Sequence, residues 1–343
     1  MSGSSPTRLP TPPTPHGRRV MAVVVLVPAL VALALWAFAW PAARTAPRDL
    51  PLGVAGPPAA AAQVEQRLTR PEGAFDIHRY ADEAAARHAV EDRTVYGAVV
   101  TGDGGPRLLT ASAASPAVAQ MLREAMAEQA SAGGTPVQVV DVVPAPTADP
   151  RGAALSASVL PLALAGMAAG AVVTVLGLRG VRAAGALVGA AAAAGLVAAG
   201  IAHSWLGVVT GDWWTVAGVF GLSTLAVAAG VAGLGALLGR PGLAAGAVLM
   251  TLLGNPFSGA SSAPEMLPRP AGAIGQWLPP GAGASLLRSV SFFDGAAATG
   301  PALTLAWWAV LGLGAVLLGG ALRQRARDAA PAPERTGAPA PVA

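Results

Sequence analysis

Six apolar segments, at about 20–40, 155–178, 183–203, 214–238, 241–259 and 301–322, meet or approach the roughly 20 residues that a helix needs to cross a bilayer. No water reaches the backbone there, so each segment must close its own hydrogen bonds, which a helix does. The first, VMAVVVLVPALVALALWAFAW, contains Pro28 but no charge. The fifth, PGLAAGAVLMTLLGNPFSGA, is the weakest of the six because Asn255-Pro256 interrupts it. Composition points the same way: 53% of the chain is hydrophobic and only 12% charged, against roughly 25% charged in a soluble domain. An ordinary cytoplasmic enzyme is excluded. Most of the 43 Gly sit inside the apolar runs, while the 31 Pro cluster at the ends and in loops.

The arginines set the expected orientation. With the N-terminus inside, Arg8, Arg18, Arg19, Arg179, Arg182, Arg240, Arg323, Arg325, Arg327 and Arg335 face the cytoplasm, and the short outer loops hold only Arg269 and Arg288. The fold class expected is therefore an α-helical polytopic protein of six transmembrane helices in the cell membrane, both termini cytoplasmic, with an inserted extracytoplasmic α/β domain. Its parts are a disordered tail 1–19, a first span 20–40, the outer domain 41–154, a five-helix membrane domain 155–322 and a second disordered tail 323–343. Arg18-Arg19 before an apolar run and Ala37-Phe38-Ala39 also fit a signal peptide. That run exceeds the usual 7–15 residues, so an uncleaved anchor is expected. All 22 basic residues are Arg, as in a high-GC bacterium, and the net charge of +4 forms no dense patch, which argues against nucleic acid.

Residues 41–154 carry 13 acidic and 10 basic side chains, 23 of the 40 formal charges. Short apolar runs there alternate with helical stretches: LPLGVAG at 50–56, a helix around 59–70, FDIHRY at 75–80, a helix from Asp82 to about Asp92, and VYGAVVT at 95–101. RLLTASA at 107–113, a helix opening at Ser115-Pro116, and VQVVDVV at 137–143 complete the series. A Ser oxygen can cap free N–H groups, and Pro at the first helical position lacks a donor that would be left over. Strands separated by helices predict a small α/β domain. GDGG at 102–105 reads as a hairpin turn rather than a phosphate cradle.

No catalytic constellation emerges. His16, His78, His88 and His203 have no metal-binding spacing, Cys is absent, and without Lys a standard phosphate loop cannot form. No catalytic, cofactor-binding or metal residue is therefore assigned, and an enzyme is not expected. Asp76, Asp82, Glu83, Glu91 and Asp92, interleaved with Arg79, Arg87 and Arg93, read as an ion-paired surface, with Glu83 and Arg87 in the favourable four-residue order. The spans lack internal charges, which disfavours a proton-coupled carrier. Gly166/Gly170, Gly185/Gly189 and Gly242/Gly246 have the spacing of close helix packing. Trp205, Trp213, Trp214, Trp277, Trp307 and Trp308 fall mostly near the predicted outer ends.

The segment 255–299 is too polar and too broken by Pro for a simple span, yet IGQWL and SLLRSVSFF are short apolar pieces that could dip into the bilayer. The alternative is a plain lipid-facing loop. The expected element is a broken outer hairpin at 260–299 gating an exit, with Asn255, Pro256, Trp277, Pro279, Pro280, Arg288 and Asp294 as the candidate gate. Arg288 is expected to face lipid phosphate or Asp294.

One span, an outer domain and five further spans with a broken hairpin resemble the phage-infection-protein-like branch of the ABC-2 type transporter permeases. The residues carrying the likeness are LPLGVAG at 50–56, DRTVYGAVV at 92–100, LLTASAASPAVAQML at 108–122, DVVPAPTADPRGAALSASVLPLALAG at 141–166, NPFSG at 255–259 and PEMLPRPAGAIGQWLPPGAGASLLRSVSFFDG at 264–295. The resemblance implies a permease half, in a homo- or heterodimer with a separate ATPase subunit, exporting a hydrophobic or envelope-related compound. The chain departs from the pattern in its Pro-rich N-terminus and its very short turn near Arg179–Arg182. The competing expectation is a non-transporting scaffold or receptor whose outer domain binds a ligand or partner, with an envelope enzyme third.

Overall fold

The computed structural model describes residues 15–70, 72–102, 105–131 and 136–328. The chain enters through α1 (Pro15–Ala43), a helix exposed along nearly its whole length. The first residues of this helix fall in the predicted tail 1–19, which is a correction; residues 1–14 lie outside the described residues.

An α/β domain follows: β1 (Leu50–Ala55), α2 (Pro58–Leu68), β2 (Phe75–Tyr80), α3 (Glu83–Glu91), β3 (Gly97–Val100), β4 (Arg107–Thr110), α4 (Pro116–Ser131) and β5 (Gln138–Asp141). The sheet order is β2-β1-β3-β4-β5. β1 pairs parallel with β2 and β3, β3 and β4 are antiparallel, and β4 and β5 are parallel. Both faces of the sheet are covered, which is why β1 and β3 read as nearly unbroken apolar runs. Ala86, Ala89 and Val90 of α3 pack with Ala55, Ala98 and Leu109 on one face. Val64 and Leu68 of α2, with Val118 and Leu122 of α4, pack with Leu50, Leu52 and Leu108 on the other. Helix starts follow their caps: Asp82 accepts from the Ala85 N–H at 2.8 Å, and Ser115 Oγ from the Val118 N–H at 3.2 Å. Asp103 and Gly104 of the predicted GDGG turn lie outside the described residues.

The bundle comprises α5 (Ala153–Val175), α6 (Gly180–Ala199, continued by a π-helical turn Gly200–Trp205), α7 (Trp213–Leu238), α8 (Arg240–Val248, continued by a π turn Leu249–Gly254), α9 (Ala271–Gln276), α10 (Pro279–Phe292) and α11 (Thr299–Asp328). Among the described residues five helices are long and apolar enough to cross a membrane: Val20–Ala43, Ala153–Val175, Gly180–Trp205, Trp213–Leu238 and Thr299–Arg325. The predicted sixth, 241–259, is instead the shorter apolar helix Arg240–Gly254. Pro256 has no N–H with which to continue the ladder, and the Asn255 carbonyl turns to Ser258, accepting from its hydroxyl at 2.7 Å. α11 runs through Asp328, so the predicted tail 323–343 is helical at its start; residues 329–343 lie outside the described residues.

α7 is the central helix, packed by α5, α6, α8, α10 and α11. The domain joins the end of α1 to the start of α5, so one end of the bundle adjoins it. Trp205, Trp213 and Trp214 lie at that near end, and Arg179, Arg182, Arg240 and Arg323 at the far end. Asp149 anchors the near end by accepting from the N–H groups of Ala153, Ala154 and Leu155 at 2.8, 2.9 and 3.1 Å. It is buried, and Asp149→Ala would strand all three donors. The expected loss is about 2 kcal/mol, read by thermal unfolding of the purified protein, with Asp149→Asn recovering part of it.

Candidate functional site at the junction of domain and hairpin

Residues 255–298 form a hairpin that fills the junction between the α/β domain and the bundle. Its backbone folds tightly on itself. A Cβ on Gly275 would overlap the Phe257 carbonyl, one on Gly272 the Pro264 carbonyl, and one on Gly281 the Gly275 carbonyl. Side chains then tie the layers: Gln276 Nε2 donates to the Ser258 carbonyl at 2.9 Å, and Ser285 Oγ donates to Gln276 Oε1 at 2.6 Å. α1 is held here by stacked Trp36 and Trp40, whose centroids lie 6.2 and 6.4 Å from the Phe257 ring.

α10 starts deep in the bundle. Pro279, Pro280 and Gly283 line a small apolar cavity of about 20 Å³ together with Phe220, Ser223 and Val227 of α7. Val227 is about halfway along α7. Pro280 also packs on Gly254, and the Trp277 carbonyl accepts from Trp308 Nε1 at 2.8 Å. The other end of α10 meets the near end, where Thr210 Oγ1 donates to the Ser291 carbonyl at 2.5 Å.

The domain docks on this hairpin from both faces of its sheet. Phe293 joins the core under α3, and Ala263 and Met266 join the core under α2 and α4. Between them lies a polar cluster. Arg93 Nη1 donates to the Ser285 carbonyl at 3.0 Å and to Ser289 Oγ at 2.5 Å, and its guanidinium sits 5.3 Å from the Phe293 ring centroid. Tyr96 donates its hydroxyl to Glu265 Oε2 at 2.8 Å. Burial first, and then the Glu265 carboxylate, push the Tyr96 phenol up, so it stays a donor. Burial lowers the Arg93 pKa, an effect opposed by Tyr96 and Glu265. Arg288, 5% exposed, donates to the Ala260 carbonyl and lies near enough to Arg93 for the two charges to repel.

The seven predicted gate residues divide on this geometry. Asn255 and Pro256 end the short helix, while Pro279 and Pro280 are buried at the start of α10. Trp277 is 75% exposed. Arg288 and Asp294 do not pair: Arg288 is buried without a salt bridge among the described residues, and Asp294 is exposed beyond α10 with φ of 49°. Of the two expected partners of Arg288, Asp294 is not the one it meets: the guanidinium turns to the Ala260 carbonyl. Arg93 is a second correction. The loop after α3 turns it, with φ of 59°, away from the expected ion-paired surface and into the junction. Glu83 meets Arg87 at 3.3 Å and Arg107 at 2.8 Å, as a surface pair does.

Sequence reasoning missed Arg93, Tyr96 and Glu265 as a group. The available signal was Glu265 itself, the lone acidic residue of the hairpin before Asp294. Among the described residues no group of three or more His, Asp or Glu is placed to hold a metal ion. His203 Nε2 lies 3.1 Å from the Gly211 carbonyl oxygen. No family model, curated protein or solved structure matches this chain. What the fold defines is a class: a membrane protein with an α/β domain seated on its helix bundle.

Proposed function

We propose that the protein is the permease subunit of an ABC-2-type exporter, moving a hydrophobic or envelope-related compound outward with a separate ATPase, as a homo- or heterodimer. In this reading the α/β domain lies outside the cell membrane and both termini inside. Arg240–Gly254 and the chain that follows it complete a sixth, broken pass, and α9 and α10 are a re-entrant element at the exit. The observation that carries the reading is the hairpin, which dips halfway along α7 in a bundle whose spans hold no internal charge. A path for an apolar compound needs no proton relay and has none to offer. Purification from native membranes should recover an ATPase with the chain, and deletion should change lipophilic efflux or envelope composition. An ATPase-free complex with unchanged efflux and envelope would overturn the reading.

Orientation has its own test, made clean by the absence of Cys. Gln66→Cys, on the exposed face of α2, should react with a membrane-impermeant maleimide in intact cells. Gln324→Cys, at the far end of α11, should react only after lysis.

A crevice favours a second reading, a receptor. Between α2 and α4 lies a space of about 570 Å³ lined by Val64, Arg67, Leu68, Val99, Met126 and Gln129, within the size range of small-molecule sites. If the domain senses a ligand, Val64→Trp should abolish function while leaving the bundle and any bound ATPase intact.

A further inference from the structure

The far end of the bundle holds a second site of different character. A groove of about 640 Å³ runs between the α5–α6 turn and the last turns of α11, lined by Arg179, Val181, Arg182, Leu317, Gln324 and Asp328. The turn is pinned against α11, because a Cβ on Gly320 would lie 2.8 Å from the Gly180 nitrogen. Both arginines are therefore held beside the helix, and both are exposed. Neither side chain has a hydrogen bond or ion pair among the described residues. Arg323, one position from Gln324, behaves otherwise: it donates to the carbonyls of Gly235 and Ala236 at the end of α7. The groove walls below the arginines are apolar, with Val181 80% and Leu317 42% exposed.

Two guanidiniums against one carboxylate, Asp328, leave the groove cationic. It sits where three membrane-length helices, α5, α6 and α11, end together, the level at which a bilayer presents its phosphates. We propose that this groove binds an anionic phospholipid. Arg179 and Arg182 hold the phosphate, for which the guanidinium fork is suited, and an acyl chain lies along Val181 and Leu317. Phosphatidylcholine carries its own cation and gains less from two arginines, so the site selects on net headgroup charge. The inference needs these helices to lie in a bilayer but does not need export, so it stands or falls apart from the proposed function.

The test uses the full chain, delipidated in neutral detergent and titrated with phosphatidylglycerol or phosphatidylcholine, with bound lipid counted by native mass spectrometry. Phosphatidylglycerol should be retained and should raise the unfolding midpoint, with phosphatidylcholine weaker on both counts. Arg179→Gln with Arg182→Gln should weaken phosphatidylglycerol retention about tenfold or more. Asp328→Asn should strengthen it, which keeps the inference falsifiable if the double variant fails to fold. Equal retention of the two lipids, unchanged retention in the double variant, or full displacement by millimolar inorganic phosphate would overturn it, the last by marking a site for free anions.

Discussion

A Gly312→Leu protein is expected to lose its assembled bundle, although the substitution puts a more apolar residue into an apolar helix. A Cβ at 312 would overlap the Ala229 carbonyl and lie 2.7 Å from the Gly230 nitrogen, backbone against backbone. α7 cannot retreat to make room. Gly166 and Gly170 of α5 fit against its Val227 and Ala228 region, and Gly195 of α6 against Ala217 and Gly221. Overpacking a core costs about 1–3 kcal/mol where side chains can shift; here backbone must move, and in lipid close packing is a principal term holding helices together. The measurement is the monodisperse fraction in mild detergent and its resistance to heat, both expected to collapse. Gly185→Leu and Gly189→Leu are the controls, because among the described residues nothing lies within 4 Å of either added Cβ. Controls that fail as badly as Gly312→Leu would show that lost glycine flexibility, not the α7–α11 contact, is responsible.

The same glycines mark where sequence reasoning stops. Gly166/Gly170, Gly185/Gly189 and Gly242/Gly246 share one spacing, yet the first pair meets α7, the last meets Leu234 and Val231 across the α7–α8 turn, and the middle pair meets nothing among the described residues. Spacing says that a close approach is possible; which face another helix occupies depends on the whole bundle. The α/β elements were legible because their signals are local. Short apolar runs, the Asp82 and Ser115 caps and the turn residues between them mark each strand and helix without reference to distant chain. The fifth apolar segment lies between these cases. Its hydropathy suggested a span, but Pro256 stops the helix early and the next residues close into the hairpin.

The junction was the least legible part, for a related reason. Arg93 sits among carboxylates and arginines in the sequence, where an ion-paired surface is the natural reading, and only its backbone turn sends it 192 residues along the chain to the Ser285 carbonyl. For Arg288 the sequence offers lipid phosphate or Asp294 and no basis for choosing between them. Burial against the Ala260 carbonyl is a tertiary outcome that no local pattern encodes.

Removing the carboxylate from that junction should weaken the seating of the domain on the hairpin. Glu265→Ala leaves the Tyr96 hydroxyl without its acceptor and leaves Arg93 and Arg288 with no acid in their cluster. An orphaned donor beside an uncompensated charge costs on the order of 2 kcal/mol, roughly a thirtyfold rise in opening at 25 °C. Amide hydrogen exchange across residues 285–298 should accelerate by that factor, while the strands of the sheet remain protected. Arg288→Met should act in the opposite sense. The Ala260 carbonyl that loses Arg288 keeps Ser156 Oγ at 2.7 Å, a hydroxyl it shares with the Gly152 carbonyl at the same distance, and a cation that repels Arg93 is gone. Replacing a buried charge with an apolar side chain of similar length is often neutral or stabilising, and combining Arg288→Met with Glu265→Ala should recover part of the lost protection. An Arg288→Met protein that keeps its fold would point to another reason for a buried arginine here. If that reason is the proposed exit, Arg288→Met will keep the fold and lose transport; if transport also survives, Arg288 has no part in the gate.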